Sequence, residues 1–507
     1  MTNNTVHGNC SGPLWQATAE KRTAAVHLQG AGYRTGFFGK YLNMYGFEGS
    51  GGPAHVPPGW TRWYGLVGNS IYYNFTVSDQ GKNVTHSDVY EQDYLTKLVH
   101  EEAKAFIQGK NSGSSKPADD GQRQPFFAWI APPAAHDPTM AAPQHAEMLP
   151  DAKAPRVPSY GASPEGKHWE VRFASMDMGE GTDASRYGDL LYRRRLLTLL
   201  SVDDMLGDLV DTLDGMGELD NTFLVFASDN GYHIGTFGLL KDKRQLYETD
   251  IRVPAYVRGP GVGLPAPKDP LDDARNVLGP VLNIDFAPTF LDMAGIPQPE
   301  DMDGASFLGL IKKGGGGGAE EQAGEEEGAH VAARSGSGGN DGGDSWRNDF
   351  LVEYHGERSF KKATGPCLGE DGTEVYCNIV GPEMKSRPPM WEGPDICSCQ
   401  DARNNTYRCV RDVGTPEERA AALKRAGGGH QPAAAGSNVT TANTGFVYCR
   451  FDDGLSNAFD GEEEYYDLEQ DPWQLRNAVG DLSQSRLAEL RERLAQLAAC
   501  KYSSCRQ

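Results

Sequence analysis

The chain has 507 residues, with 48 Lys and Arg against 70 Asp and Glu, so its formal net charge is −22. This acidic balance argues against non-specific nucleic-acid binding, which requires a basic surface. No apolar run in the sequence reaches the roughly 18 residues of a membrane-spanning helix. Glycine and proline are abundant, at 62 and 31 residues, which predicts solvated tracts between compact segments.

Low-complexity tracts suggest how the chain is divided. The tract 313–345 consists largely of Gly, Glu, Ala and Ser and reads as a linker. It separates a larger region, residues 1–312, from a smaller Cys-rich region, residues 346–507. The same composition predicts solvated loops over 110–124 and 415–437.

Helical and strand patterns alternate along the larger region. The run 223–226 is continuously apolar, which is typical of a central strand buried on both faces. The alternation predicts an α/β domain with a mostly parallel central sheet flanked by helices, followed by a Cys-rich α+β region. The predicted elements are a strand ending at Lys40, a helix capped by Asp93, a strand over 126–130, a helix over 199–213 ended by Gly215 and Gly217, strands over 223–226 and 253–257, and a helix over 286–294.

Ligands of such sheets bind where the strands end, so the residues after each strand are candidates for a site. Asp229 and Asn230 follow the strand over 223–226 and offer two adjacent oxygen ligands for a hard cation such as Ca²⁺. An ordinary Asp-Asn-Gly turn is the simpler interpretation of the same residues. His136 follows the strand over 126–130 in a Pro-bounded loop, where it is either a functional imidazole or a surface residue.

Positive charge also falls at predicted strand ends. Lys40 ends its strand, and Lys241, Lys243 and Arg244 concentrate charge in an otherwise acidic protein. Each has an alternative interpretation, as a solvated surface lysine or a solvated charge cluster. Together, an oxygen-rich half-site, cationic lysines and a histidine at one sheet edge predict hydrolysis of an anionic ester. Composition does not distinguish phosphate from sulfate.

Eight of the nine cysteines lie between residues 367 and 505, which predicts up to four disulfides in an oxidising compartment. Reduced thiols are the alternative, and zinc is disfavoured because Cys397 and Cys399 lack the usual two-residue spacer. N-glycosylation sequons support the secretory pathway, lysosomal or extracellular. They stand at Asn3, Asn9, Asn74, Asn83, Asn404 and Asn438.

Four stretches of this sequence resemble the sulfatase family of the alkaline-phosphatase-like superfamily. They are GYRTGFFGKYLN (Gly32–Asn43), SDNGYHIG (Ser228–Gly235), DKRQLYETDIRVPAYVRGPG (Asp242–Gly261) and YYDLEQDPWQLRN (Tyr465–Asn477). The resemblance implies an alkaline-phosphatase-like sulfatase fold, with residues 1–312 as the catalytic domain, and a sulfuric ester hydrolase acting on sulfated sugars or aryl sulfates.

The resemblance also implies roles for individual residues. Lys40 matches a lysine that contacts the sulfate and the nucleophile, and His136 and Lys243 match groups beside the leaving oxygen. Asp229 and Asn230 match half of a four-ligand calcium site, and we take His233 and Arg244 as substrate-binding.

The sequence departs from the family pattern at two places. The family's formylglycine is made from the Cys of a Cys-x-[Pro/Ser]-x-Arg motif. None of the nine cysteines here begins such a motif. The family's paired calcium aspartates are also without a match. We interpret the chain as lacking an N-terminal segment that holds both features, including the first central strand, and we expect no arylsulfate turnover from it alone. A broad arylsulfatase, a non-catalytic secreted glycan-binding glycoprotein and a phosphodiester or phosphonate hydrolase are the alternatives.

Overall fold

The computed structural model describes residues 11–111, 123–262, 279–312, 346–356, 375–381, 391–402, 404–427, 444–452 and 459–506. The predicted linker 313–345 and most of the loop predicted over 110–124 lie outside these residues. No helix in the described ranges is both long and apolar enough to cross a membrane.

Thirteen strands and eleven α-helices are assigned in the described ranges. The strands are β1 (Arg34–Lys40), β2 (Arg62–Leu66), β3 (Thr76–Asp79), β4 (Lys82–Thr85), β5 (Phe126–Ala131), β6 (Leu224–Ala227), β7 (Ala255–Arg258), β8 (Asp349–Tyr354), β9 (Val375–Val380), β10 (Ile396–Ala402), β11 (Thr406–Asp412), β12 (Phe446–Asp452) and β13 (Phe459–Asp467). The helices are α1 (Pro13–Ala17), α2 (Ala24–Gly30), α3 (Tyr90–Asp93), α4 (Leu95–Ile107), α5 (Trp169–Ala174), α6 (Asp183–Gly215), α7 (Glu248–Ile251), α8 (Phe286–Met293), α9 (Leu308–Ile311), α10 (Pro416–Gly427) and α11 (Gln484–Ala499).

The larger region is built on a five-stranded sheet in the order β4-β3-β2-β1-β5. Strand β1 runs parallel to both β2 and β5, whereas β2–β3 and β3–β4 are antiparallel. Helices α4 and α6 cover one face, where Phe38, Val99 and Leu209 share a buried apolar cluster. The α/β architecture is therefore confirmed, with a mixed sheet whose parallel part is centred on β1.

Two local predictions differ from the structure. Strand β6 is half-buried, with Ala227 exposed, and its partner in the described residues is the antiparallel β7. An apolar run favours a strand but does not determine how many neighbours cover it, so the prediction of burial on both faces was wrong. Asp93 ends the short helix α3, and α4 begins at Leu95 after Tyr94 with no side-chain cap.

The Cys-rich region forms a second, antiparallel sheet in the order β13-β12-β11-β8. Leu487, Leu490 and Leu494 of α11 recur at helical spacing and pack on this sheet. The loop predicted over 415–437 was wrong for its first part, because α10 occupies Pro416–Gly427. Alanine, lysine and glutamate are good helix formers, so this Ala- and charge-rich composition is compatible with a helix as well as a coil.

The prediction of disulfides in this region is confirmed. Cys409–Cys449 joins β11 to β12, Cys377–Cys399 joins the hairpin β9–β10, and Cys500–Cys505 closes a short loop after α11. Cys397 is also disulfide-bonded. Cys10 and Cys367 lie outside the described residues.

The two regions share one apolar cluster. Phe237 and Tyr247 of the larger region pack with Tyr407, Phe451 and Tyr466 of the antiparallel sheet. The chain between Phe237 and Tyr247 includes the basic segment Lys241–Arg244. The Cys-rich region therefore supports the backbone that carries these charges.

Candidate active site

Lys40 lies at the carboxyl end of β1. Its Nζ donates to the backbone oxygen of Tyr41 at 2.8 Å and to Oδ1 of Asn43 at 2.7 Å. The preceding Gly39 pairs with Ala131 at the end of β5 and has a positive φ of 108°. A Cβ at Gly39 would collide with the backbone oxygen of Ala131, so glycine is required for β1 and β5 to approach here. Lys40 consequently lies beside the loop that follows β5.

His136 lies in that loop. Its Nδ1 is 2.7 Å from the backbone oxygen of Asp137, and because a carbonyl only accepts, Nδ1 carries the proton. The neutral imidazole then has its acceptor at Nε2. The hydroxyl of Tyr72 donates to the backbone oxygen of His136 at 3.0 Å, which fixes the loop from the side of the sheet.

Burial, followed by the positive charge of Lys243, lowers the pKa of His136, and Lys40 acts in the same direction. Opposing effects of Asp137 on this pKa are smaller than those of burial and Lys243 but larger than that of Lys40. The loop that carries His136 follows β5, which pairs with β1 up to Gly39, directly before Lys40. The grouping of Lys40, His136 and Lys243 in one site stays a prediction, and this pairing and the direction of the pKa shift support it.

The basic segment after β6 is attached to the same loop through an ion pair. Lys241, which is 7% exposed, has its Nζ 2.5 Å from Oδ2 of Asp137. Although burial opposes ionisation, the charge of Lys241 lowers the pKa of Asp137. The Asp137 carboxylate balances the positive charge of Lys241. The charge of Lys243, in contrast, lowers the pKa of His136.

Arg244 is engaged by two carboxylates. Its Nη1 pairs with Asp242, and its Nε lies 3.6 Å from Oδ2 of the fully buried Asp401 on β10. Tyr354 and Asn405 also donate to Asp401, at 2.7 and 3.1 Å. The Cys-rich region therefore reaches the rim of the site, and the assignment of Arg244 as substrate-binding stays a prediction.

His233 is buried rather than open to a ligand. Its side chain is 3% exposed, and Nδ1 lies 3.0 and 2.9 Å from the two carboxylate oxygens of Asp250. Burial opposes the charged form, but the Asp250 carboxylate dominates and raises the pKa of His233. Asp250 also holds the backbone after Asn230, because Gly231 donates to the backbone oxygen of Asp250 at 2.8 Å. The predicted direct contact of His233 with substrate does not match this burial.

Asp229 is exposed and Asn230 is half-buried directly after β6. Nδ2 of Asn230 donates to the backbone oxygen of Gly231 at 2.7 Å, so its Oδ1 is the atom suited to a cation. One carboxylate and one amide oxygen match the chemistry of Ca²⁺, which takes about six to eight such ligands. Within the described residues, the group of three or more clustered potential metal ligands is Cys377, Cys397 and Cys399, which are disulfide-bonded. Asp229 and Asn230 therefore fit part of a calcium site.

Several residues around the site were not predicted. Arg195, Tyr72, Asp250 and Asp401 act through hydrogen bonds or ring contacts made by chain folding. The sequence signal for Arg195 was the run of three arginines at 193–195 in an acidic chain. Asp250 lies within the stretch Asp242–Gly261 that resembles the family, and Tyr72 and Asp401 have no local signature.

The predicted glycosylation sites are partly described. Asn74 and Asn83 are exposed and Asn404 is half-buried. Asn3, Asn9 and Asn438 lie outside the described residues.

This fold and site define a member of the hydrolases that act on anionic esters at a sheet edge. The sulfatase family model matches residues 1–296, and the chain belongs to the sulfatase family, whose members hydrolyse sulfuric esters. It is 36% identical to N-acetylglucosamine-6-sulfatase of Bos taurus over 509 aligned positions, covering 100% of this chain and 73% of the relative. It is 39% identical to an extracellular sulfatase homolog of Drosophila melanogaster, covering 71% of this chain and 28% of the relative.

A solved structure shares the fold. It is described as a complex with the protein's substrate, D-glucosamine-2-N,6-O-disulfate, and is 21% identical with a TM-score of 0.55. The match covers 94% of this chain and 80% of the other chain.

Proposed function

We propose that this sulfatase acts on sulfated sugars and that its substrate is a 6-sulfated N-acetylglucosamine unit of a glycosaminoglycan. The identity of 36% with N-acetylglucosamine-6-sulfatase over the whole chain supports this substrate class. The observation that supports the site assignment is the Lys241–Asp137 ion pair, which ties the segment that includes Lys243 to the loop that carries His136. Lys40 ends β1, which pairs with β5 directly before that loop. An anionic group with these three neighbours, Lys40, His136 and Lys243, is bound by charge and by hydrogen bonds at once.

Lys40 and Lys243 are proposed to bind the sulfate oxygens and stabilise the negative charge that grows as the ester bond breaks. His136 is neutral near pH 7, because burial and the adjacent lysines lower its pKa. Its Nε2 is then an acceptor rather than a proton donor. We therefore assign the protonation of the departing sugar oxygen to the Lys243 ammonium, and to Nε2 of His136 the acceptance of a hydrogen bond from the hydroxyl that forms.

Sulfatases generally use Ca²⁺ and a formylglycine nucleophile. Asp229 and Asn230 are proposed as part of the calcium site, where the bound ion would withdraw charge from the sulfate oxygens. The sequence has no Cys-x-[Pro/Ser]-x-Arg motif, so none of its residues is assigned as the nucleophile.

The proposed setting is the secretory pathway, either lysosomal or extracellular. Three disulfides in the described residues and the exposed sequon residues Asn74 and Asn83 support it. Residues 1–312 are proposed as the catalytic domain and residues 346–507 as a Cys-rich subdomain whose Asp401 contacts Arg244.

Calorimetric titration with N-acetylglucosamine 6-sulfate tests the proposal, with unsulfated N-acetylglucosamine as the ligand control. We expect the sulfated sugar to bind and Lys243→Gln to weaken its affinity by about tenfold or more, as expected for loss of a charge-assisted contact. Lys97→Gln is the matched control, because Lys97 pairs with Glu101 on the surface of α4. Equal affinity for the two sugars, or equal losses in the two variants, would contradict the proposal.

A further inference from the structure

One arginine connects the loops that carry the candidate site. Arg195 lies on α6, and its Nη1 donates to the backbone oxygen of Ala135 at 2.7 Å, directly before His136. The guanidinium carbon of Arg195 lies 3.7 Å from the centre of the Tyr232 ring, two residues after Asn230. The loop after β5 and the loop after β6 are therefore both in contact with a single side chain.

The guanidinium is chemically suited to this double contact. Its planar group can stack on an aromatic face while its in-plane N–H groups donate to a carbonyl, which an ammonium group cannot do in the same way. A cation–π contact is stronger where the cation is partly desolvated. Arg195 is half-buried, so its charge is only partly screened by water.

A neighbouring arginine also contacts the loop after β5. Arg194 donates to the backbone oxygens of Thr139 and Pro138, at 3.1 and 3.3 Å. These bonds anchor the loop after β5 to α6. Arg195 adds the contact with Tyr232, and so links that loop to the chain that carries Asp229 and Asn230.

We propose that Arg195 is a positioning residue that sets the separation between His136 and the Asp229–Asn230 pair. It acts through Ala135 on the imidazole and through Tyr232 on the proposed cation ligands. The roles of the residues that it positions rest on the proposed function, whereas the linkage itself rests on the two contacts of Arg195.

The test compares Arg195→Gln and Arg195→Lys with Arg193→Gln in the full chain. Arg193 belongs to the same arginine run, but its Nη2 faces the backbone oxygen of Met148 at 3.4 Å. Two quantities are measured: the pKa of His136 by NMR titration of histidine-labelled protein, and the affinity for inorganic sulfate by calorimetry.

Both Arg195 variants are expected to loosen the loop and admit water to His136. The pKa of His136 should rise toward the ordinary value of about 6.5, and sulfate affinity should fall by about 10- to 100-fold, as for other supporting residues of polar sites. Arg193→Gln should change neither quantity.

Arg195→Lys separates positioning from charge, because it keeps the positive charge and loses the planar group. A wild-type His136 pKa and wild-type sulfate affinity in Arg195→Lys would overturn the proposal. If Arg195→Gln does not fold, Arg195→Lys and Tyr232→Leu serve as the test variants. An unchanged His136 pKa in either of them overturns the proposal. If the wild-type chain binds no sulfate but the His136 pKa moves in the variants, the proposed function fails and the positioning role stands.

Discussion

The Lys241 ammonium lies 2.5 Å from Oδ2 of Asp137 and joins the segment after β6 to the loop after β5. His136 precedes Asp137, and Lys243 follows Lys241 by two residues. The ion pair therefore ties the segment that includes Lys243 to the loop that carries His136, although the two residues are far apart in the sequence. The site depends on this pair even though neither of its members is assigned to contact the substrate.

Replacing Lys241 by Met should destabilise the folded chain. The change leaves the partly buried Asp137 carboxylate without its partner, and the loss of a hydrogen bond to a charged group costs about 2 kcal/mol. Urea denaturation followed by circular dichroism measures the free energy of unfolding. Lys97→Met is the control, since the surface pair Lys97–Glu101 is worth about 0.5 kcal/mol. Equal losses of unfolding free energy in both variants would show that the Lys241–Asp137 pair stabilises the fold no more than a surface pair does.

Replacing Lys243 by Gln should raise the pKa of His136. A neighbouring positive charge disfavours the imidazolium, and Lys243 is the largest charge contribution to the lowered pKa of His136. NMR titration of the histidine ring measures the change directly. Lys243→Arg keeps the charge and should keep the His136 pKa close to the wild-type value. An unchanged pKa of His136 in Lys243→Gln would place Lys243 away from the imidazole.

Glu170 should make the folded chain less stable as the pH rises. It is fully buried, and burial, followed by the charge of Asp401, raises its pKa to about 8, above the unfolded value of about 4.3. Between about pH 4.3 and about pH 8, Glu170 is therefore protonated in the folded state and ionised in the unfolded state. The stability associated with it is therefore complete below about pH 4.3 and is lost as the pH rises through about 8, by about 1 kcal/mol per pH unit.

Glu170→Gln tests this sign, because the amide is nearly isosteric and does not ionise. The free energy of unfolding of this variant should be less dependent on pH between about pH 5 and 8 than that of the wild type. The exposed Glu165 offers the control Glu165→Gln, which should retain the wild-type slope. A wild-type slope in Glu170→Gln would assign the pH dependence to other groups.

The disulfides should contribute to stability according to the length of the loop that each closes. Cys409–Cys449 spans 40 residues and Cys500–Cys505 spans 5. In the chain-entropy description, these loops correspond to about 4 and about 2 kcal/mol. Replacing each pair by serine and measuring guanidinium unfolding should give the larger loss for Cys409–Cys449. The reverse order would mean that local packing, rather than loop closure, dominates.

Local patterns predicted much of the secondary structure. The apolar runs of β5, β6 and β7 and the helical spacing in α4 and α6 gave the correct element type, with shifts of a few residues at some ends. The class of chemistry was predicted from order along the chain, on the expectation that polar residues after successive strands meet at one sheet edge. In the described residues β1 and β5 share a sheet, whereas β6 pairs with β7 in a second sheet. The grouping of Lys40, His136 and Lys243 in one site stays a prediction, which is supported by the direction in which both lysine charges move the pKa of His136.

Burial and partners could not be predicted in the same way. His233 and Asp229 belong to one short motif, yet His233 is buried against Asp250 and Asp229 is exposed. Their environments depend on how the segment 242–250 folds back on the strand end. The contact between Asp401 and Arg244 likewise depends on the packing of two regions that the sequence separates by a linker.

The sequence by itself determined the family motifs, the alternation of strands and helices and the cysteine-rich character of the last third, because these follow from local periodicity and residue type. Only the tertiary structure decided which charges face His136, which cation is neutralised by Asp137 and which arginine joins the two loops. The physical reason is that electrostatic and hydrogen-bond energies depend on distance and burial, and both are set by contacts between residues far apart in the chain.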